Sequence, residues 1–97
     1  MYDIAFKVDG GKRLGMGHIN RCLTVAQELN KKKIRSIFLI SNDLTREYIE
    51  NRNFDVKIIN SDKNYLKNII YLIKNEKIRG LIIDSKKKKL EKEIDKI

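Results

Sequence analysis

From Val8 to Leu23 the chain reads Val-Asp-Gly-Gly-Lys-Arg-Leu-Gly-Met-Gly-His-Ile-Asn-Arg-Cys-Leu, and most of its chemically versatile residue types sit there. Gly10, Gly11, Gly15 and Gly17 stand immediately before a helical pattern. Glycine permits positive φ and lets a ligand approach the backbone. A helix N-terminus presents unpaired N–H groups to an anion. A phosphate or dinucleotide loop is one reading, and it fits poorly. Gly15-x-Gly17 would need glycine where Asn20 stands, and no Gly-Lys-Ser/Thr is present. His18 is the only histidine. A neutral imidazole in a ligand cleft can act as a general base; the alternative is a histidine that caps the loop or faces solvent. Asp9 can orient that ring or hold a hydroxyl. Arg21 can hold an anionic group or simply lie on an exposed helix face. Cys22 falls on the apolar side of the helical pattern and reads as a small buried hydrophobe. One cysteine makes no internal disulfide, and no cluster of ligands has metal-site spacing, so neither metal nor cofactor is expected.

These residues need a frame to position them, and the hydrophobic pattern supplies one. Ile4 to Val8 reads as a strand. Ile19, Cys22, Leu23, Ala26 and Leu29 recur at helical spacing, predicting a helix over about 18–31. Ile34 to Ile40 reads as a second strand. Asn42 or Asp43 is placed to cap a short helix through about Asn51, with Leu44, Tyr48 and Ile49 on one face. Val56 to Ile59 is a third strand, 63–76 a third helix marked by Leu66, Ile69, Ile70 and Ile73, and Leu81 to Ile83, closed by Asp84, a fourth strand. The order β-α-β-α-β-α-β implies a doubly wound, Rossmann-like α/β fold with a parallel sheet. Ligands of such sheets bind beyond the carboxyl ends of the strands, which directs attention to loops 9–17, 41–43, 60–63 and 84 onward. Tyr48, Tyr65 and Tyr71 read as helix-to-sheet packing. Asp84 is placed to line the cleft or to cap the next segment.

Composition sets the outer limits. The 97 residues make one domain at most, 41% of them hydrophobic and none proline or tryptophan. No apolar run approaches the roughly 20 residues of a bilayer span, and Met1-Tyr2-Asp3-Ile4 opens no signal peptide. A cytoplasmic setting without membrane contact is the expectation. The net charge of +9 invites a nucleic-acid reading. One third of that excess sits in residues 85–97, and lysine is spread through the remainder, so a nucleic-acid partner is not expected. Residues 1–84 read as a partial Rossmann-like domain. Residues 85–97 read as a lysine-rich tail in which Lys86 to Lys89 form a solvated face and Leu90, Ile94 and Ile97 suggest a short helix.

The stretch Asp9-Gly10-Gly11, Leu14-Gly15-Met16-Gly17-His18-Ile19, Arg21-Cys22-Leu23 resembles the opening motif of the UDP-sugar hydrolases of pseudaminic acid synthesis. Those enzymes are similar in fold to GT-B glycosyltransferases, which have two Rossmann-like domains. The resemblance is dense over 6–29 and looser along the rest, where Leu81-Ile82-Ile83-Asp84 looks like a later family strand ending in aspartate. It implies hydrolysis of UDP-2,4-diacetamido-2,4,6-trideoxy-β-L-altropyranose to UDP and the free sugar. It places the water-activating base on His18 and substrate contacts on Asp9, Gly15, Met16, Gly17 and Arg21. Lys7 stands where the family has arginine, which keeps the charge and loses the planar fork. The implied partner is a UDP-sugar whose nucleotide is held by a C-terminal domain. This chain is expected to lack that domain, to be inactive by itself, and to be marginally stable or to self-associate. Two other readings remain: a GT-B-like sugar transferase fragment, in which a bound hydroxyl replaces water, and a small basic binding module.

Overall fold

The computed structural model describes residues 2–8, 17–41, 43, 45–59 and 64–84, with Asp84 described for its backbone alone. Seven elements run in the expected order: β1 (Ile4–Val8), α1 (Gly17–Lys31), β2 (Ser36–Ile40), α2 (Arg46–Glu50), β3 (Asp55–Ile58), α3 (Tyr65–Glu76) and β4 (Gly80–Asp84). All pairings are parallel, and the strand order is β3-β2-β1-β4. The chain steps outward from β1 through β2 to β3, then crosses back to set β4 on the other side of β1. The sheet is therefore doubly wound, with the Rossmann-like arrangement that the alternation of elements implied.

Side-chain alternation gives each strand two faces. Phe6, Val8, Phe38 and Ile40 pack with Ile19, Cys22, Leu23 and Ala26 of α1, Ile49 of α2, and Phe54. Ala5, Ile37, Leu39 and Ile59 pack on the opposite face with Ile69 of α3 and with Ile78. Outward steps with helices on one face, and the return step with its helix on the other, are what uniform right-handed crossovers require. The centre of the first layer is aromatic. Phe6 and Phe38, paired in register, stack at 5.0 Å with an interplanar angle of 13°, and Phe54 tilts against Phe38 at 5.4 Å.

Each described helix is followed within three residues by a left-handed residue. Lys33, Asn53 and Lys77 take the left-handed conformation, with φ of 65°, 68° and 56°. Each precedes an apolar residue, Ile34, Phe54 or Ile78, that turns inward toward the next strand. After α3 the Ile78 N–H bonds the Ile73 carbonyl at 2.9 Å, and after α1 the Ile34 N–H bonds the Leu29 carbonyl at 3.0 Å. This is the six-to-one closure of a Schellman end with its apolar clasp. No glycine occupies these sites, which is why the sequence pattern ran the second strand back to Ile34 when it begins at Ser36.

The cap of α2 and the packing of Tyr71 differ from expectation. The capping position of α2 falls on Thr45, whose side chain makes no capping bond, whereas Asp43 contributes only a carbonyl, 3.3 Å from the Arg46 N–H. Asn42 and Leu44 lie outside the described residues. Tyr48 and Tyr65 pack against the two core layers, but Tyr71 is 71% exposed and packs little. The tail 85–97, with Lys86 to Lys89 and the spacing of Leu90, Ile94 and Ile97, also lies outside the described residues. Among the described residues no helix is long and apolar enough to cross a membrane.

Candidate functional site at the strand-order reversal

The strand order reverses between β1 and β4, and in open α/β sheets ligands bind in the crevice beyond the carboxyl ends at such a point. Val8 and Asp84 pair there in register, so the last residues of the two strands stand side by side. Because α1 runs back from the carboxyl end of β1 to the start of β2, its first residues, Gly17 and His18, lie at the same end of the sheet. The structure thus brings Gly17, His18, Arg21 and the backbone of Asp84 to one edge. Asp9, Gly15 and Met16 lie outside the described residues.

Among the described residues, no helix packs on the flank of α1 that carries His18. At 100° per residue, His18, Arg21 and Val25 share one side of the helix, and Asn20 points away from it. Asn20 faces α2, where its Oδ1 accepts from the Tyr48 hydroxyl at 2.5 Å. The His18 side therefore faces the β4 half of the sheet. There Ile82, which pairs with Phe6 and shares its face, is 38% exposed, and Val25 is 42% exposed. No described helix covers this part of the sheet. Among the described residues the result is a step: the side of α1 forms its wall and the face of β4 forms its floor.

Gly17 is at the lip of that step. A Cβ placed on it would meet nothing within 4 Å, and its φ is not in the left-handed range. Neither internal packing nor backbone strain demands glycine here. Gly80 differs, since a Cβ there would come within 2.9 Å of Ile4 Cδ1.

His18 is half-buried and Arg21 exposed. The Arg21 guanidinium lies 2.9 Å from His18 Nδ1, one helical turn away. Arginine only donates hydrogen bonds, so Nδ1 is the acceptor in this contact. This contact ties the ring to its neighbour on the helix.

Two features escaped the sequence reading. Lys7 is only 2% exposed, in a strand otherwise apolar, with Leu39 and Ile83 as its register partners. A lysine inside a five-residue strand of a sheet covered on both faces has few routes to solvent, and that signal was available. The second is a polar lattice between helices. Arg52 donates to the Tyr48 hydroxyl at 3.0 Å and lies 4.9 Å above its ring, while Tyr48 donates to Asn20. This lattice fixes α2 beside the first turn of α1. Its spacing of 28 residues between Asn20 and Tyr48 gives no local pattern to recognise.

A cleft of about 670 Å³ lies elsewhere, between β3 and α3, lined by residues that include Tyr2, Asp55, Lys57 and Glu76. Tyr2 donates a short hydrogen bond to the Asp55 carboxylate, which pushes the phenol up to about 12; burial and the negative charges of Asp55 and Glu76 add to this. Of the described residues, Gly17, His18 and Arg21 do not line it.

The comparisons with known proteins are sparse. No protein-family profile matches the chain, and no solved structure matches it. An uncharacterized protein of Methanocaldococcus jannaschii is 37% identical over 83 residues, covering 84% of this chain and 16% of its own length. The chain thus spans about one sixth of the curated relative it matches, and that relative carries no assigned activity.

Proposed function

We propose that this chain is the acceptor-side, water-activating part of a nucleotide-sugar hydrolase. The observation that carries the reading is the position of His18, in a Gly-x-Gly-His motif at the start of α1, beside the strand-order reversal and on the open flank above β4. In this reading the sugar of a UDP-sugar rests on the step beside Gly17, and the nucleotide is held by a second domain. Water attacks the anomeric carbon as the bond from that carbon to the diphosphate oxygen breaks. The bonding pair leaves with UDP, the proton of the water passes to His18, and the anomeric configuration inverts. Glycine at position 17 is then required by what approaches from outside, since nothing inside the described fold requires it. The specific sugar, a diacetamido-trideoxy-altrose, rests on the motif resemblance alone.

The test is UDP release by a longer homologous chain that carries both domains. His18→Asn is expected to lower turnover by about 10²–10⁴-fold, the usual contribution of a general base, with UDP affinity unchanged. Near-normal turnover would reduce His18 to a loop residue. A product carrying the sugar on an acceptor hydroxyl, instead of free sugar, would move the reading to a transferase.

A further inference from the structure

We infer that Arg21 is a positioning residue that sets the tautomer of His18 and covers its basic nitrogen until an anionic group draws the guanidinium away. The argument starts from the 2.9 Å contact between the Arg21 guanidinium and His18 Nδ1. A guanidinium has five N–H donors, no acceptor, and does not lose its proton. A short contact of this kind to an imidazole nitrogen is a hydrogen bond only if that nitrogen offers its lone pair. Nδ1 therefore carries no proton, and in the neutral ring the hydrogen resides on Nε2. While Arg21 is docked, His18 presents Nε2–H as a donor, and its one lone pair is already engaged at Nδ1. In this state the ring has no nitrogen ready to take a proton.

This deepens the hydrolase reading and rests on it for its functional meaning. A base that is covered in the absence of substrate must be uncovered by substrate. Arg21 is exposed on the same flank as His18, where an anion from solvent can reach its guanidinium. The planar fork of a guanidinium matches two oxygens of a phosphate group, in a stronger bond than a neutral imidazole nitrogen offers. A diphosphate arriving at the step would recruit Arg21 and vacate Nδ1 together. The water proton can then pass to Nδ1 while Nε2–H keeps its own hydrogen, leaving an imidazolium. Arrival of the leaving group thus frees Nδ1 for the proton of the attacking water.

The chain contains a single histidine, so its ring nitrogens can be read without ambiguity by long-range ¹H–¹⁵N correlation spectra of the 97-residue protein. At a pH where the ring is neutral, the wild type should show Nε2–H with Nδ1 at the shielded position of a hydrogen-bonded acceptor. Arg21→Ala should move Nδ1 to the unbonded position and let the tautomer mixture relax toward that of a short peptide spanning His18. Arg21→Lys, which still donates at the same spacing, should restore part of the bonded shift. Inorganic pyrophosphate should shift wild-type Nδ1 toward the Arg21→Ala value and leave Arg21→Ala unmoved. Backbone amide spectra that match beyond the first turn of α1 establish that the variants are folded; if Arg21→Ala is not, Arg21→Gln takes its place. An Nδ1–H tautomer in the wild type, or an Nδ1 position indifferent to Arg21, overturns the inference. A wild-type Nδ1 that stays bonded at saturating pyrophosphate overturns the uncovering step. These spectra do not involve turnover, so failure of the hydrolase reading would show separately, in the His18→Asn assay of the longer chain.

Discussion

β1 and β4 are neighbours, both five residues long and paired in parallel along their whole length, yet they live in different surroundings. Phe6 and Val8 of β1 are sealed under α1, and Ala5 lies under α3 on the other face. In β4, Leu81 is half-buried against α3, and Ile82 is substantially exposed on the α1 side. The difference comes from topology. Helices that connect β1 to β2 and β2 to β3 lie over the β1-β2-β3 half of the sheet, and no described helix covers β4 on the α1 side. What this teaches is that the candidate site and the least covered part of the core are the same place. The step that would admit a sugar is the space left beside α1 above an edge strand.

The largest expected effect tests the closed half directly. Phe38→Ala removes a ring held between Phe6 and Phe54 and should cost about 3–5 kcal/mol. Ile82→Ala, one strand beyond Phe6, should cost less than about 1 kcal/mol, because much of that side chain is already in water. Chemical denaturation of the two variants measures the contrast, and equal losses would mean that β4 is as well covered as β1. A domain stability of about 5–15 kcal/mol makes the first substitution severe.

The open half makes its own prediction. If Ile82, Val25 and the β4 edge drive self-association, sedimentation of the wild type should depend on concentration, and Ile82→Lys should abolish that dependence while changing stability by no more than about 0.5 kcal/mol. A wild type that stays monomeric at high concentration refutes the idea.

A smaller effect should be the same in both regions. Lys33 precedes the interior strand β2 and Lys77 the edge strand β4, and both sit at positive φ. Lys33→Gly and Lys77→Gly should each stabilise by about 0.5–1 kcal/mol, since the relief of the Cβ clash outweighs the added freedom of the unfolded chain. Melting temperatures would show whether the two gains agree. A loss at either site would mean that the lysine stem contributes more than its backbone strain costs.

The smallest effect is at the far edge. Folded Tyr2 keeps its proton up to about 12, whereas an unfolded tyrosine releases it near 10. Between those values the unfolded state binds fewer protons, so stability should fall as pH rises from about 10 to about 12, and should be insensitive to this group below about 10. Tyr2→Phe should remove that slope and cost less than about 1 kcal/mol at neutral pH, as the bond is partly solvated. Denaturation midpoints of both proteins across that range measure it.

Hydrophobic period was enough to order the elements. Ile19, Cys22, Leu23 and Ala26 form the buried stripe of α1 as their spacing required, and the apolar runs at 4–8 and 36–40 became the two central strands. Such patterns are local, set by 3.6 residues per turn and by the two faces of a strand, and a linear sequence displays them. The glycine-rich motif before His18 was equally legible, because its residues are neighbours in the chain. Tertiary structure alone decided the rest. Strand order β3-β2-β1-β4 brings Val8 beside Asp84 across 76 positions of chain, and only that pairing puts the first turn of α1 at a strand-order reversal. The helix ends at Lys33 and Lys77 were hidden because lysine carries no local preference for the left-handed region and is held there by the apolar residue that follows it inward. The contact between the Arg21 guanidinium and His18 Nδ1, one turn along the helix, likewise exists only in the folded chain. These are properties of surroundings, which a residue acquires only once the chain has folded around it.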